Sequence, residues 1–181
     1  TEADEGLASN TLHPQVMEFI TARLRVYLTG RGFGHDEVNA VLHAGASRLT
    51  DVVMRLQALA LFRKLPEAES LTLANKRISN ILRQAGGRVP PHTDAALFRE
   101  PEERALAGRI TQLSAEVEPM LAAGDYENAL KRLAGLRETV DDFFDRVMVM
   151  ADDPQVRDNR LALLHAVMAL FTRIADLSAL Q

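Results

Sequence analysis

The stretch DPQVRDNRLALLHAVMALFTRIADL, Asp153–Leu177, decides the fold. Asp153 can accept a hydrogen bond from the open amides of a helix start, and Pro154 at the first helical position presets the backbone angle. Beyond them Leu163, Val167, Leu170 and Ile174 form one apolar stripe, and Leu161, Leu164, Met168 and Phe171 form a second beside it. A helix apolar over so much of its circumference needs neighbours on several sides, which places it at the centre of a bundle. The spacing predicts a helix from 154 to about 177. The fold class that follows is all-α, a helical bundle of about seven to nine helices with a long C-terminal helix.

Composition agrees. A hydrophobic content of 47% with 25% charge supplies enough apolar side chains for one core or two small ones. Aromatics make up only 5%, Trp is absent, and Leu and Ala are abundant, a balance that costs little side-chain entropy in helices. The absence of cysteine excludes disulfides, thiolate zinc sites and a cysteine nucleophile, and it fits a reducing, cytoplasmic setting. No apolar run approaches the roughly 20 residues of a membrane span, and the opening TEADEGLASN lacks the basic start and apolar centre of a signal peptide. Thr1 in place of an initiator Met reads as the start of a piece of a longer polypeptide.

Working back from the last helix, the same periodicity recurs. Over 16–28 the residues Val16, Phe19, Ile20, Leu24 and Tyr27 or Leu28 have the spacing of one buried helix face, closed by Gly30, Gly32 and Gly34. Asp36 can cap a second helix carrying Val38, Val41 and Leu42, and 49–64 forms a third with Val52 or Val53, Leu56, and Leu59 or Ala60 inside. Over 70–87, SLTLANKRISNILRQAGG, the residues Leu71, Ala74, Ile78, Ile81, Leu82 and Ala85 define a core arc, with Gly86 and Gly87 as the stop. Asn75, Lys76, Ser79, Asn80 and Arg83 are read as the opposite, polar arc. GGRVPPHTD is a linker, which makes a subdivision near 86–94 an option. A helix over 102–121 is expected to kink or end at Pro119, and 126–136 continues past a break at Gly135 into Val140, Phe143, Phe144 and Val147.

The formal net charge of -4 speaks against an indiscriminate nucleic-acid binder, but the charge is unevenly spread. Between Arg55 and Arg88 the cations Arg55, Arg63, Lys64, Lys76, Arg77, Arg83 and Arg88 face only Glu67 and Glu69, whereas carboxylates dominate after Glu100. Catalytic chemistry finds no support. The five histidines are scattered, GRGFG follows no strand, and Asp141, Asp142, Asp145, Asp152 and Asp153 have no nucleophile beside them, so no catalytic and no metal-ligating residues are assigned. The Phe143–Phe144 pair and the Met148 and Met150 run read as core. The polar arc of Asn75, Lys76, Asn80 and Arg83, extended by Arg63 and Lys64, is either a solvated helix face or a surface that pairs phosphates and reads unpaired bases.

Two segments carry a family resemblance. FRKLPEAESLTLANKRISNILRQAG, Phe62–Gly86, and DDFFDRVMVMADDPQVRDNRLALL, Asp141–Leu164, together with the closing ADLSALQ, resemble the C-terminal region of the β subunit of bacterial heterotetrameric glycyl-tRNA synthetase. The resemblance runs from about Phe19 to Gln181. It implies a helical anticodon-binding domain of the arginyl-tRNA synthetase type over 16–181, with 1–15 unassigned. It further implies tRNA(Gly) as partner, together with the α subunit and the remainder of the β subunit. The α subunit would carry amino-acid activation, and ATP and Mg would serve the intact synthetase and not this region. No DNA or membrane partner is implied. On this footing Lys76, Asn80 and Arg83 are the expected phosphate and base contacts, with Asn75 on the same face, Arg63 and Lys64 as electrostatic support, and Arg157, Asn159 and Arg160 as a second contact surface. Arg77, at the edge of the apolar arc, reads either as a contact or as the partner of a carboxylate. The rival reading is a helical docking module for subunit assembly that does not touch RNA.

Overall fold

Several helices of this chain pack against the long one near its end. The computed structural model describes residues 18–45, 48–86 and 89–181. Val16, Gly87 and Arg88, named above, lie outside them, as does the segment 1–15. Over the described residues the chain forms α1 (helical over 18–30), α2 (His35–His43), α3 (Leu49–Phe62), α4 (Ala68–Ala85), α5 (Pro101–Ala122), α6 (Tyr126–Leu133), α7 (Arg137–Arg146) and α8 (Pro154–Thr172). Short 3-10 turns lie at Ala95–Leu97, Ala134–Leu136 and Leu177–Ala179, and no strand occurs among the described residues. The all-α expectation holds. None of these helices is long and apolar enough to cross a membrane.

α8 begins as its sequence requires, with the Asp153 carboxylate accepting the Gln155 amide at 2.9 Å and Pro154 in the first turn. Its two apolar stripes are buried, Met168 only in part, and pack against α4, α5 and α6. α6 lies between α3 and α5, while α4 rests on α7, on α8 and on the turn Leu177–Ala179. Phe62 of α3 meets Phe171 of α8 with ring centroids 6.4 Å apart. Residues from both sides of 86–94, such as Leu71 and Ile78 before it and Leu113 and Leu164 after it, belong to one core cluster.

Several boundaries differ from the periodicity. α8 ends at Thr172, not near 177, because the chain swings away so that the Asp176 amide can donate to the Ala40 carbonyl at 2.8 Å. Asp176 then caps a 3-10 turn, and Ile174, Leu177 and Leu180 stay buried, which is why the apolar pattern outlasts the helix. α5 runs past Pro119 to Ala122; the proline lies in the last turn, where only one intrahelical bond is forfeited. α2 starts at His35, with Gly34 and not Asp36 in the cap position, and the Glu37 carboxylate accepts the Gly34 amide at 3.0 Å.

The largest departure is α1. Leu28 is fully buried and Leu24 packs on the core, but Phe19, Ile20 and Tyr27 are 50% to 58% exposed. The expected buried face is therefore only half used: the core takes the Leu24–Leu28 edge and leaves the rest of the apolar arc in solvent.

Candidate nucleic-acid interface

α4 places the candidate contact residues. At 100° per residue, Lys76, Asn80 and Arg83 fall within one arc, and each is at least partly accessible. Arg83 donates to the Asn80 side chain at 2.7 Å, which holds both groups outward near the C-terminal end of the helix. Gly86 ends it at φ 57, a left-handed conformation that favours glycine. Asn75 does not share this face. It follows Leu71 by four residues and precedes Ile78 by three, so it sits inside the core arc, 1% exposed, with its amide donating to the Leu71 carbonyl at 2.9 Å. The helical phase given by its neighbours was sufficient to place it there.

Leu73, 58% exposed, takes the outward position among these polar groups. Grooves open on its two sides. One is lined by Arg63, Thr72, Lys76 and the chain end at Leu180 and Gln181. Here Arg63 is already engaged, with Asp36 at 2.9 Å, Glu37 at 3.3 Å and the Gln181 carbonyl at 3.1 Å. Burial pushes the Asp36 carboxyl up, but the Gln181 and Glu37 amides and the Arg63 guanidinium outweigh it and hold the carboxyl below its ordinary range. Arg63 is thus a clamp between α2, the end of α3 and the chain end, and little of its charge remains for a phosphate. Lys64 and Lys76, in contrast, have no ion-pair partner among the described residues.

The other groove lies between α4 and α7 and holds about 600 Å3. The guanidinium of Arg77 stands 4.1 Å from the Phe144 ring centroid. Arg77 therefore meets an aromatic face and not a carboxylate, and Phe144, half-buried, is only partly core, whereas Phe143 is fully so. Asp141, across the groove, accepts from the Ser70 hydroxyl at 2.9 Å and pairs with Arg137 at 3.4 Å. An Arg–aromatic pair beside an exposed leucine is a surface on which a planar base can stack. The signal for it in the sequence was Leu73, the one large apolar residue out of phase with the core arc of α4.

The expected second surface resolves differently. Asn159 is 3% exposed, and its side chain accepts the Asp94 amide at 2.7 Å and donates to the Asp94 carbonyl at 3.0 Å, tying the loop before α5 to α8. Arg160 is 6% exposed and donates to Glu103 at 2.9 and 3.3 Å and to the Met148 carbonyl at 2.8 Å. Neither can meet a ligand at the surface, because Val156, Leu163 and Val167 share their side of the helix and draw both inward. Glu103 is fully buried and also accepts the Arg99 and Glu100 amides, each at 2.7 Å. Burial pushes its carboxyl up, but the hydrogen bond from Arg160 and those two amides outweigh it and hold it below the ordinary range. Arg157 stays half-buried, 3.5 Å from the Ala151 carbonyl, in a groove shared with Gln84 and Ala85 at the end of α4. It alone of the three lies near the α4 face. Met148 and Met150 point outward, 75% and 52% exposed, while Val147 and Val149 turn in, so that run is only half core.

Comparison with known proteins decides the relationship. The profile of the DALR anticodon binding domain matches residues 71–178, more than half of the chain. The chain belongs to that family. The matched DALR region takes in nearly all of α4 and the chain from there into the turn after α8, including both grooves flanking Leu73 apart from their residues on the loop between α3 and α4, in the first turn of α4 and at the chain end. Over 177 residues, 98% of its length, the chain is 43% identical to the glycine–tRNA ligase beta subunit of Glaesserella parasuis serovar 5, covering 26% of that protein. It is 45% identical to the beta subunit of Aeromonas salmonicida over the same shares, and 44% identical to that of a Shewanella species over 92% of the chain and 24% of the relative. The resemblance to glycyl-tRNA synthetase β subunits is borne out, and the DALR chain spans about a quarter of the length of the curated relatives it matches.

Proposed function

We propose that this chain recognises tRNA(Gly) at the anticodon arm and performs no chemistry itself, as part of the β subunit of a cytoplasmic glycine–tRNA ligase whose α subunit activates glycine with ATP and Mg. The observation that carries this reading is the coincidence of the DALR match with an accessible cationic face on α4. In the proposed complex Lys76 and Arg83 pair backbone phosphates and Asn80 hydrogen-bonds a base edge, with Lys64 and Arg157 adding field at the two ends. An unstacked base of the loop rests against Leu73 and the Arg77–Phe144 pair. Phosphate contacts supply affinity that falls with salt, and base contacts supply selectivity. Arg63, Asn75, Asn159 and Arg160 hold the fold and make no contact with RNA.

The test is a fluorescence-anisotropy titration of the chain with tRNA(Gly) at two salt concentrations, repeated with an anticodon-substituted tRNA and with Lys76→Ala/Arg83→Ala protein. The expected result is weaker binding for both changes, with a shallower salt dependence for the double variant, about 0.7 log units per lost single-strand phosphate contact. Equal affinity for both tRNAs, unaffected by the double substitution, overturns the reading.

A further inference from the structure

The outer side of α1 is the exposed surface that tRNA recognition leaves without a role. Phe19, Ile20, Val26 and Tyr27 are 58%, 50%, 73% and 50% exposed. On a helical wheel they occupy one arc, directly continuous with the Leu24–Leu28 edge that the core covers. Scattered apolar side chains on a surface need no explanation, but a contiguous patch joined to a buried seam marks an interface. We infer that this face of α1 is the seat of another part of the same polypeptide, an apolar segment rimmed by carboxylates.

Two observations choose that occupant. First, the relatives carry about three quarters of their length outside the matched region, so an intramolecular partner of ample size is at hand. Second, the face is basic. Arg23 stands 4.4 Å from the Phe19 ring centroid, and Arg31 stands 5.7 Å from that of Tyr27 and bonds its hydroxyl at 3.0 Å, while Glu18, the single carboxylate over 18–31, lies off this arc. A second copy meeting this patch about a two-fold axis would set arginines against arginines. A nucleic acid would leave half of the patch unused, because Val26 and Ile20 offer no plane on which a base can stack. An apolar partner with acidic flanks satisfies the whole patch.

Hydroxyl-radical footprinting of the full-length subunit against the 181-residue chain tests the inference. Phe19 and Tyr27 are expected to label several-fold more slowly in the full-length subunit. Val26→Asp in that subunit should restore their labelling while leaving Leu73, on α4, unchanged. A milder Val26→Ser variant should restore part of it should the aspartate prove disruptive. Equal labelling of Phe19 and Tyr27 in the two proteins overturns the inference. So does protection in the short chain that grows with its concentration, which would assign the face to a second copy, or protection that appears only when tRNA is added.

Discussion

At the scale of single residues the Arg160–Glu103 pair has the most to lose. Each group has left water, and each is compensated: the carboxylate by the guanidinium and two loop amides, the guanidinium by the carboxylate and the Met148 carbonyl. Arg160→Ala removes one charge and strands the other, which costs about 3–5 kcal/mol. Glu103→Met with Arg160→Met should recover only part of that in urea unfolding, because the Arg99 and Glu100 amides would still be unpaired. A double variant as stable as the wild type would show that those amides find other partners. The pair also sets an acid response. The Glu103 carboxyl is held below its ordinary range when folded, so its contribution to stability is present above the ordinary carboxylate range and is lost as pH falls through its folded value. Asp36 acts with the same sign. Urea midpoints followed downward in pH should fall in the wild type and fall less steeply in Glu103→Gln; parallel curves would place the acid response elsewhere.

Among elements, α4 separates what a side chain is from where it is held. Asn75→Ala should lower stability and leave tRNA affinity unchanged, whereas Lys76→Ala, on the next residue, should lower affinity and leave stability unchanged; anisotropy and urea unfolding on the same preparations check both. A drop in affinity for Asn75→Ala without loss of stability would return that residue to the contact surface. Gly86→Ala should destabilise by about 1 kcal/mol, since a side chain at φ 57 is strained while the nearest atom it would meet, the Gln84 carbonyl, lies at an ordinary 3.8 Å. The helices themselves were legible because apolar spacing is a local property, and the stripes of α3, α4 and α8 name their own buried sides. What spacing misses is the partner. Nothing local to α1 says that only the Leu24–Leu28 edge finds a neighbour, and the polar letters of Arg157, Asn159 and Arg160 outweighed a phase that already placed two of them inside. The Arg77–Phe144 pair was out of reach for a related reason: it joins α4 to α7 across residues far apart in the chain, and no periodicity encodes it.

Across the whole molecule the charge is divided by position in the chain. Residues 18–88 carry 11 Lys and Arg against 6 Asp and Glu, whereas 89–181 carry 10 against 16. An acidic total of -4 is therefore compatible with RNA binding on one side, because the field that a phosphate meets within a Debye length of about 10 Å is that of α4 and its surroundings and not the net charge. α5, with four carboxylates against two arginines, would repel the same RNA and so favours an approach from the α4 side. This division makes a prediction for the enzyme that the relatives represent. A β subunit truncated before this region, assembled with its α subunit, should keep glycine-dependent pyrophosphate exchange, since activation needs no anticodon contact, and should lose most of its tRNA charging at limiting tRNA. Raising the tRNA concentration should restore part of the charging rate, because the lost contacts contribute binding and not chemistry. Charging by the truncated enzyme that equals the intact enzyme at low tRNA would remove the anticodon arm from the role proposed for this chain. Loss of exchange together with charging would make the region structural for the assembly, with the exposed face of α1 as the first place to look.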